Sequence, residues 1–260
     1  MDDLNISGKV SVVTGGASGI GKQIALTFAE HGSDIAILDI NVRDGKSLES
    51  EIKKNYKRNC IFINCDISDS KIVEKSREKI IKNFKKVDNV ICAAGYEHVM
   101  PANEITIDVW KKTLSINLSG NFFVIRSFIN LMLSQKKGNI IIIGSSAYIN
   151  GGGAGVDYAA SKAGLYGLMK ALTYELLSKG IRTNIITPAV IDTPILRKRY
   201  PNKPDINRLL TGQIPLGRIG NVKDVANIAL FLASDMSDYI CGAEIIADGG
   251  RTLYKRPKAT

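Results

Sequence analysis

The sequence predicts an α/β protein built on a doubly wound parallel sheet of seven strands with helices on both faces. Three observations carry this. Short apolar runs of strand length alternate with longer stretches of helical period along the chain. The first run leads through a glycine-rich loop directly into a helix. No Pro/Ser-rich linker and no long repeat divides the series, so residues 1–260 read as a single domain.

The strands fall at Val10–Val13, Ile35–Leu38, Ile61–Asn64, Val90–Ala93, Ile140–Ile143, Thr183–Thr187 and Glu244–Ala247, most of them rich in the β-branched residues that fit a pleated surface. Amphipathic stretches between them predict helices over Ile20–His31, Asp44–Asn55, Ser70–Phe84, Ile107–Ser134, Tyr158–Ser178 and Val222–Ala233. Gly32 and Gly180 stand where a left-handed residue ends a helix, and Asn221 with Asp224 forms an N-cap pair. Asp192–Gly220, with Pro194, Pro201, Pro204 and Pro215, shows no clear apolar period. A long irregular segment late in such a chain suits a substrate lid over residues 192–220.

Composition sets further bounds. With 45% hydrophobic and 23% charged residues, the chain is of ordinary globular type. Its net charge, 35 minus 25 or +10, raises nucleic acid and anionic membranes as partners. The cations, however, are scattered in short groups such as Lys53-Lys54, Lys85-Lys86, Lys111-Lys112 and Lys136-Lys137 on amphipathic helices, which reads as solvated faces. Arg251, Lys255, Arg256 and Lys258 read as a basic chain end. No nucleic-acid or membrane partner is therefore expected. Cys60, Cys65, Cys92 and Cys241 form no CxxC pair and the histidines are only His31 and His98, so neither a metal site nor a disulfide framework is expected. Residues Met1–Gly8 are too polar for a signal-peptide core, and no uninterrupted apolar run reaches membrane-helix length. A cytoplasmic location is expected.

The first candidate site is Thr14-Gly-Gly-Ala-Ser-Gly-Ile-Gly21, between the first strand and the first helix. Glycines there let the backbone turn sharply and approach a pyrophosphate, whose charge the helix N-terminus favours. Asp39 ends the second strand 18 residues after Gly21, close to the spacing of an acid that accepts hydrogen bonds from an adenosine ribose. A 2′-phosphate would meet that carboxylate, and Ile40 and Asn41 supply no cation to receive it, so NAD is expected over NADP. Arg43 is the one nearby residue that opposes this. Strand, loop, helix, strand and acid together predict a Rossmann-type dinucleotide site.

The second is Tyr158-Ala-Ala-Ser-Lys162, which sets a phenol and an ammonium on one helix face. At about 4 Å and an effective dielectric near 20, a unit charge contributes about 4 kcal/mol, or about 3 pKa units, drawing a phenol toward neutrality. Such a tyrosine exchanges protons with an alcohol or carbonyl. By itself the pair is common on solvated helices.

Together, the two motifs resemble those of the short-chain dehydrogenase/reductase family, at the family's separation and over nearly the whole chain. The resemblance implies hydride exchange between a nicotinamide and a secondary alcohol or ketone. It makes Tyr158 the general acid/base, Lys162 its activator and ribose holder, Ser145 the substrate-orienting serine and Asn117 the support of a proton relay. It sets the cofactor against Gly15, Ser18, Gly19, Ile20, Gly21, Asp39, Asp66, Ile67, Ala93, Ala94, Gly95, Tyr158, Lys162, Pro188, Ile191 and Thr193, and matches Asp248-Gly-Gly250 to the family's closing signature. A homotetramer follows from the same resemblance, the helices of Asn117 and Tyr158 pairing across one dyad. Two positions depart from the pattern. The family's Asn-Asn-Ala-Gly is Cys92-Ala-Ala-Gly95, whose loop needs other support, and its Pro-Gly is Pro188-Ala189, which has less backbone freedom.

The substrate is expected to be a polyol, sugar or hydroxy acid. The alternatives are a 3-oxoacyl thioester reductase using NADPH, which the basic surface would suit, and a non-catalytic cofactor-binding regulator. Tyr96 and His98 are candidates to face the substrate, and Arg197, Lys198 and Arg199 to receive an anionic one; surface or packing roles are the competing readings. Trp110 reads as packing.

Overall fold

The computed structural model describes residues 4, 6–152, 154–200 and 206–253. Its strands are β1 (Val10–Thr14), β2 (Asp34–Asp39), β3 (Cys60–Asn64), β4 (Asn89–Cys92), β5 (Gly138–Ile143), β6 (Ile181–Pro188) and β7 (Glu244–Ala247). The helices are α1 (Gly19–Glu30), α2 (Val42–Tyr56), α3 (Ser70–Phe84), α4 (Ile107–Leu114), α5 (Asn121–Gln135), α6 (Ala147–Asn150), α7 (Val156–Leu176), α8 (Pro194–Arg199), α9 (Ile206–Thr211) and α10 (Val222–Ala233).

Side chains alternate across each strand, and that alternation sorts two helical layers onto the sheet. Val12, Ala36, Leu38, Ile140 and Ile142 enter one core with Ile80 of α3, Phe128 of α5 and Leu165 of α7. Val13, Ile35, Ile37, Ile141 and Ile143 enter the other, with Phe28 of α1, Leu48 of α2 and Val225 of α10. Because both faces are covered, the strands read as nearly continuous apolar runs. All pairings are parallel, in the order β3-β2-β1-β4-β5-β6-β7, a Rossmann-like single domain. The chain winds outward from β1 to β3, then returns to lay β4 on the other side of β1. This reversal opens a crevice beyond the carboxyl ends of β1 and β4, where such sheets bind ligands.

The expected helix ends form. Asn221 and Asp224 make a reciprocal capping box on α10, and Gly32 and Gly180 take positive φ of 90° and 83°. Between α4 and α5 the helix continues as a π-helical turn, Ser115–Gly120, which the apolar period did not reveal. The combined run Ile107–Gln135 is long and apolar enough to cross a bilayer. Here it is a core helix, burying Val124, Ile125, Phe128 and Met132 against the sheet.

Two expectations need correction. The 192–220 segment is not wholly irregular, since it carries α8 and α9. Thr193 caps α8 by accepting from the Leu196 amide, and Pro194 starts the helix, where its missing N–H costs nothing. Trp110 does not pack in the core; it is 37% exposed on α4. Pro201 and Pro204, with Lys255, Arg256 and Lys258 of the basic end, lie outside the described residues.

Candidate active site

The crevice is a cavity of about 600 Å³. All sixteen residues expected to hold the cofactor line it, as does Ser145. Its phosphate end is a backbone cradle. Gly15 has φ +63°, and a Cβ there would lie 2.7 Å from the Ala94 Cα; at Gly21 a Cβ would lie 2.3 Å from the Gly15 carbonyl oxygen. Only glycine permits this close approach of loop, helix and neighbouring strand end. Ser18 caps α1 without a side-chain hydrogen bond, leaving the first amides of α1 to face the cavity as an anion site.

Asp39 also lines the cavity, its carboxylate accepting from the Ala17 amide (3.0 Å) and the Asn41 amide (2.9 Å). Arg43, on the exposed face of α2, does not line the cavity. Asp66 accepts from the Ser68 amide and hydroxyl at 2.9 and 2.7 Å. The chain's own groups thus fit a dinucleotide: glycine backbone and helix N-terminus for the phosphates, a fixed carboxylate for ribose hydroxyls.

Both departures from the family pattern have local explanations. The loop Ala93-Ala94 is supported by Thr14, whose hydroxyl oxygen accepts from the Ala93 and Ala94 amides at 3.1 and 3.0 Å. Cys92 is buried beneath it, and burial pushes its thiol up to about 12, so it is chemically quiet. Ala189 replaces glycine without strain because its φ is not positive.

Three of the four expected catalytic residues, Ser145, Tyr158 and Lys162, meet at the cavity. Ser145 follows β5, Tyr158 and Lys162 lie on α7, and Asn117 sits in the π-helical turn. Ser145 and Tyr158 line the cavity together, and the Ser145 side chain acts to lower the pKa of the Tyr158 phenol. Asn117 does not line the cavity: fully buried below it, its amide oxygen accepts from the Tyr96 N–H (2.7 Å), while its Nδ2 donates to the Tyr96 carbonyl (2.9 Å) and the Ser161 hydroxyl (3.0 Å). Its side chain therefore clamps the loop after β4.

The expected drop in the Tyr158 pKa is absent in the free protein. Lys162 Nζ lies 5.7 Å from the ring centroid and donates to the Ile143 carbonyl at 2.9 Å. Burial raises the phenol, and the Ser145 side chain opposes this only in part. Burial also lowers Lys162, from 10.5 to about 8, against a small opposing influence of Cys92. The i, i+4 spacing sets both groups on one face, but desolvation is the largest influence on each.

Two cations of the basic run are paired, Arg197 with Asp192 at 2.7 Å and Arg199 with Glu97, and of the three only Arg199 is among the cavity-lining residues. Tyr96 lines the cavity under the Lys112 ammonium, 4.7 Å from its centroid. His98 does not line it, and binds Asp157 instead. Thr14 and Asp157 were missed by sequence reasoning; the signals available were a threonine closing the strand before the glycine loop and an acid in a helix first turn. A third unforeseen cluster anchors the segment after Ser145. Tyr148 donates to Glu244 at 2.9 and 3.0 Å, and Tyr166 donates to the same carboxylate at 2.6 Å while also bonding Thr187.

A dinucleotide cradle meeting a Ser-Tyr-Lys constellation at the carboxyl edge of a parallel sheet defines a nicotinamide-dependent oxidoreductase. Comparison with known proteins gives the family. Residues 15–252 match the family model described as enoyl-(acyl carrier protein) reductase. The chain is 34% identical over 253 residues to D-threitol dehydrogenase of Mycolicibacterium smegmatis, covering 96% of this chain and 95% of that one. It is 35% identical to the 3-oxoacyl-(acyl-carrier-protein) reductase FabG of Chlamydia muridarum, over 93% and 96% of the two chains. Among solved structures it resembles, with a TM-score of 0.90 and 28% identity over 97% of this chain and 100% of the other, a Beutenbergia cavernae protein assigned as an NAD(P)-dependent gluconate 5-dehydrogenase with bound NADP. The chain belongs to the short-chain dehydrogenase/reductase family, and is an NAD(P)-dependent oxidoreductase acting on CH–OH groups.

Proposed function

We propose that the protein is an NAD-dependent dehydrogenase that oxidises a secondary alcohol of a polyol, sugar or hydroxy acid. The observation that carries the cofactor choice is Asp39, a carboxylate fixed by two backbone amides where a 2′-phosphate would have to sit, while Arg43 is not among the residues lining the cavity. Likeness to a threitol dehydrogenase supports the substrate class.

The cofactor supplies the hydride acceptor, held by the glycine loop, Asp39, Asp66, Ile67, the Ala93–Gly95 loop, Pro188, Ile191 and Thr193. Once its own proton has passed to solvent, Tyr158 as phenolate would take the proton from the substrate hydroxyl oxygen. Ser145, on the cavity wall with the phenol, would align that oxygen, so a donor is in place before charge develops. Lys162 would supply the positive charge that stabilises the phenolate, and would hold a ribose hydroxyl of the bound cofactor. Asn117 fixes the Tyr96 loop and the floor of the relay. Pro194, Leu196 and Arg199 of α8 and Leu210 of α9 line the cavity, which supports a substrate-covering role for these helices.

Thioester reduction is the second reading, supported by likeness to the acyl-carrier-protein reductase and by the +10 charge, which suits an acidic carrier. A homotetramer goes with the family. Exposed Phe122, Val156, Tyr174 and Leu177 on and beside α5 and α7 support pairing of those helices, and a monomeric mass in solution would refute it.

The test is absorbance of reduced nicotinamide, with NAD and NADP in parallel, against polyols, sugars, hydroxy acids and hydroxyacyl thioesters. Turnover should favour NAD and fall about 10²–10⁴-fold in Tyr158→Phe while NADH affinity changes only a few fold. Near-normal turnover in that variant refutes the assignment; activity on thioesters alone, with NADPH, establishes the second reading. Cofactor binding with no turnover on the whole panel would leave the non-catalytic regulator.

A further inference from the structure

Asp157, immediately before Tyr158, is fully buried, yet it carries a carboxylate. Burial alone would raise its pKa. Hydrogen bonds from Thr113 and His98 reverse this and hold it below the usual carboxylate range. The Thr113 hydroxyl donates at 2.5 Å and His98 Nε2 at 2.7 Å. An ionised carboxylate only accepts, so Nε2 carries the hydrogen. The His98 carbonyl in turn accepts from the Gly155 amide at the cap of α7, at 3.3 Å.

These bonds join three pieces of chain at the start of the helix that presents Tyr158: α4 through Thr113, the loop after β4 through His98, and α7 through Asp157. Two residues before His98, the same loop is gripped by Asn117 through both polar groups of the Tyr96 backbone. A hydrogen-bonded path therefore runs from Asn117 through Tyr96 and His98 to Asp157 and Tyr158. The path is under-satisfied: His98 Nδ1 is buried without a partner, and Asp157 Oδ1 has at most the neighbouring Tyr158 backbone amide. A purely stabilising contact would be cheaper as an apolar one, because a buried charge costs more than its pairing returns unless every atom is satisfied. Gly155 offers no side-chain cap, so Asp157 supplies the side-chain anchor within the first turn of α7.

We propose that Asp157 and His98 are positioning residues for the reaction, holding the first turn of α7 so that the Tyr158 phenol stays in register with Ser145 and the Asn117 floor. They touch neither substrate nor cofactor; His98 and Asp157 lie outside the cavity wall. The assignment rests on the dehydrogenase reading above.

The test compares His98→Ala, His98→Gln and Asp157→Asn. Gln keeps an N–H donor at the reach of Nε2; Ala does not. A displacement of about 1 Å costs up to about 100-fold in rate, so kcat should fall about 10- to 100-fold in His98→Ala and Asp157→Asn. KM and NADH dissociation, read by fluorescence, should change only a few fold, and His98→Gln should recover most of the loss. Unchanged kcat in folded His98→Ala, or an equal loss in His98→Gln, overturns the proposal. If Asp157→Asn fails to fold, the His98 pair decides, since that ring is partly exposed. Hydrogen exchange over the 158–162 peptide adds an arm that needs no substrate. Exchange should be faster in His98→Ala and wild-type-like in His98→Gln, and equal exchange in all three proteins would overturn the proposal. A wild-type protein inert on every substrate refutes the dehydrogenase reading, while the exchange arm still decides the positioning role.

Discussion

Lys162 is expected to destabilise the fold it serves. Its ammonium is buried at 4% exposure, and its pKa is lowered from 10.5 to about 8. At about 1.4 kcal/mol for each pH unit, keeping this group charged in the folded chain costs about 3 kcal/mol. The unfolded chain holds the proton up to about pH 10.5 and the folded chain releases it near 8, so between those values the unfolded state binds more protons and stability rises with pH. Below about pH 8 the full cost is present. Lys162→Met keeps the stem and removes the charge, but it also removes the donor to the Ile143 carbonyl, a loss of about 1 kcal/mol. The variant should therefore be about 2 kcal/mol more stable at pH 7, a rise of roughly 5 °C in Tm for a chain of this size. Turnover should be lost. Urea unfolding of both proteins without cofactor, at pH 7 and pH 9.5 and equal concentration, measures the gap, which should narrow at the higher pH. A variant less stable than wild type at pH 7, or a gap independent of pH, would refute the reasoning.

Thr14→Val removes the acceptor shared by the Ala93 and Ala94 amides and should cost about 2 kcal/mol in thermal or urea denaturation; a loss under about 0.5 kcal/mol would show the loop holds itself. Asp39→Ser removes the charge that opposes a 2′-phosphate and should raise the NADP/NAD ratio of kcat/KM at least tenfold, about 1.4 kcal/mol, with an unchanged ratio excluding Asp39 as the selector.

Much of the architecture was legible in the sequence because it depends on local chemistry. Alternation of Val12 with Val13, and of Ile140 with Ile141, distributes side chains between two cores whatever the partner helices are. The glycine loop was legible because Gly15 and Gly21 answer a backbone constraint no other residue meets. What the period could not show was the π-helical turn at Asn117, since one shifted turn barely alters an apolar stripe. Nor could it show α8 and α9, each of which has only 6 residues.

By itself the sequence determined the strand-helix alternation, the dinucleotide cradle and the shared face of Tyr158 and Lys162, because each follows from spacing along one or two elements. Tertiary structure alone decided the electrostatics. Whether Lys162 reaches toward the phenol or the Ile143 carbonyl, and whether His98 faces a substrate or Asp157, depends on groups far apart in sequence and on how much water packing removes. Desolvation is a property of the assembled environment, and no spacing encodes it.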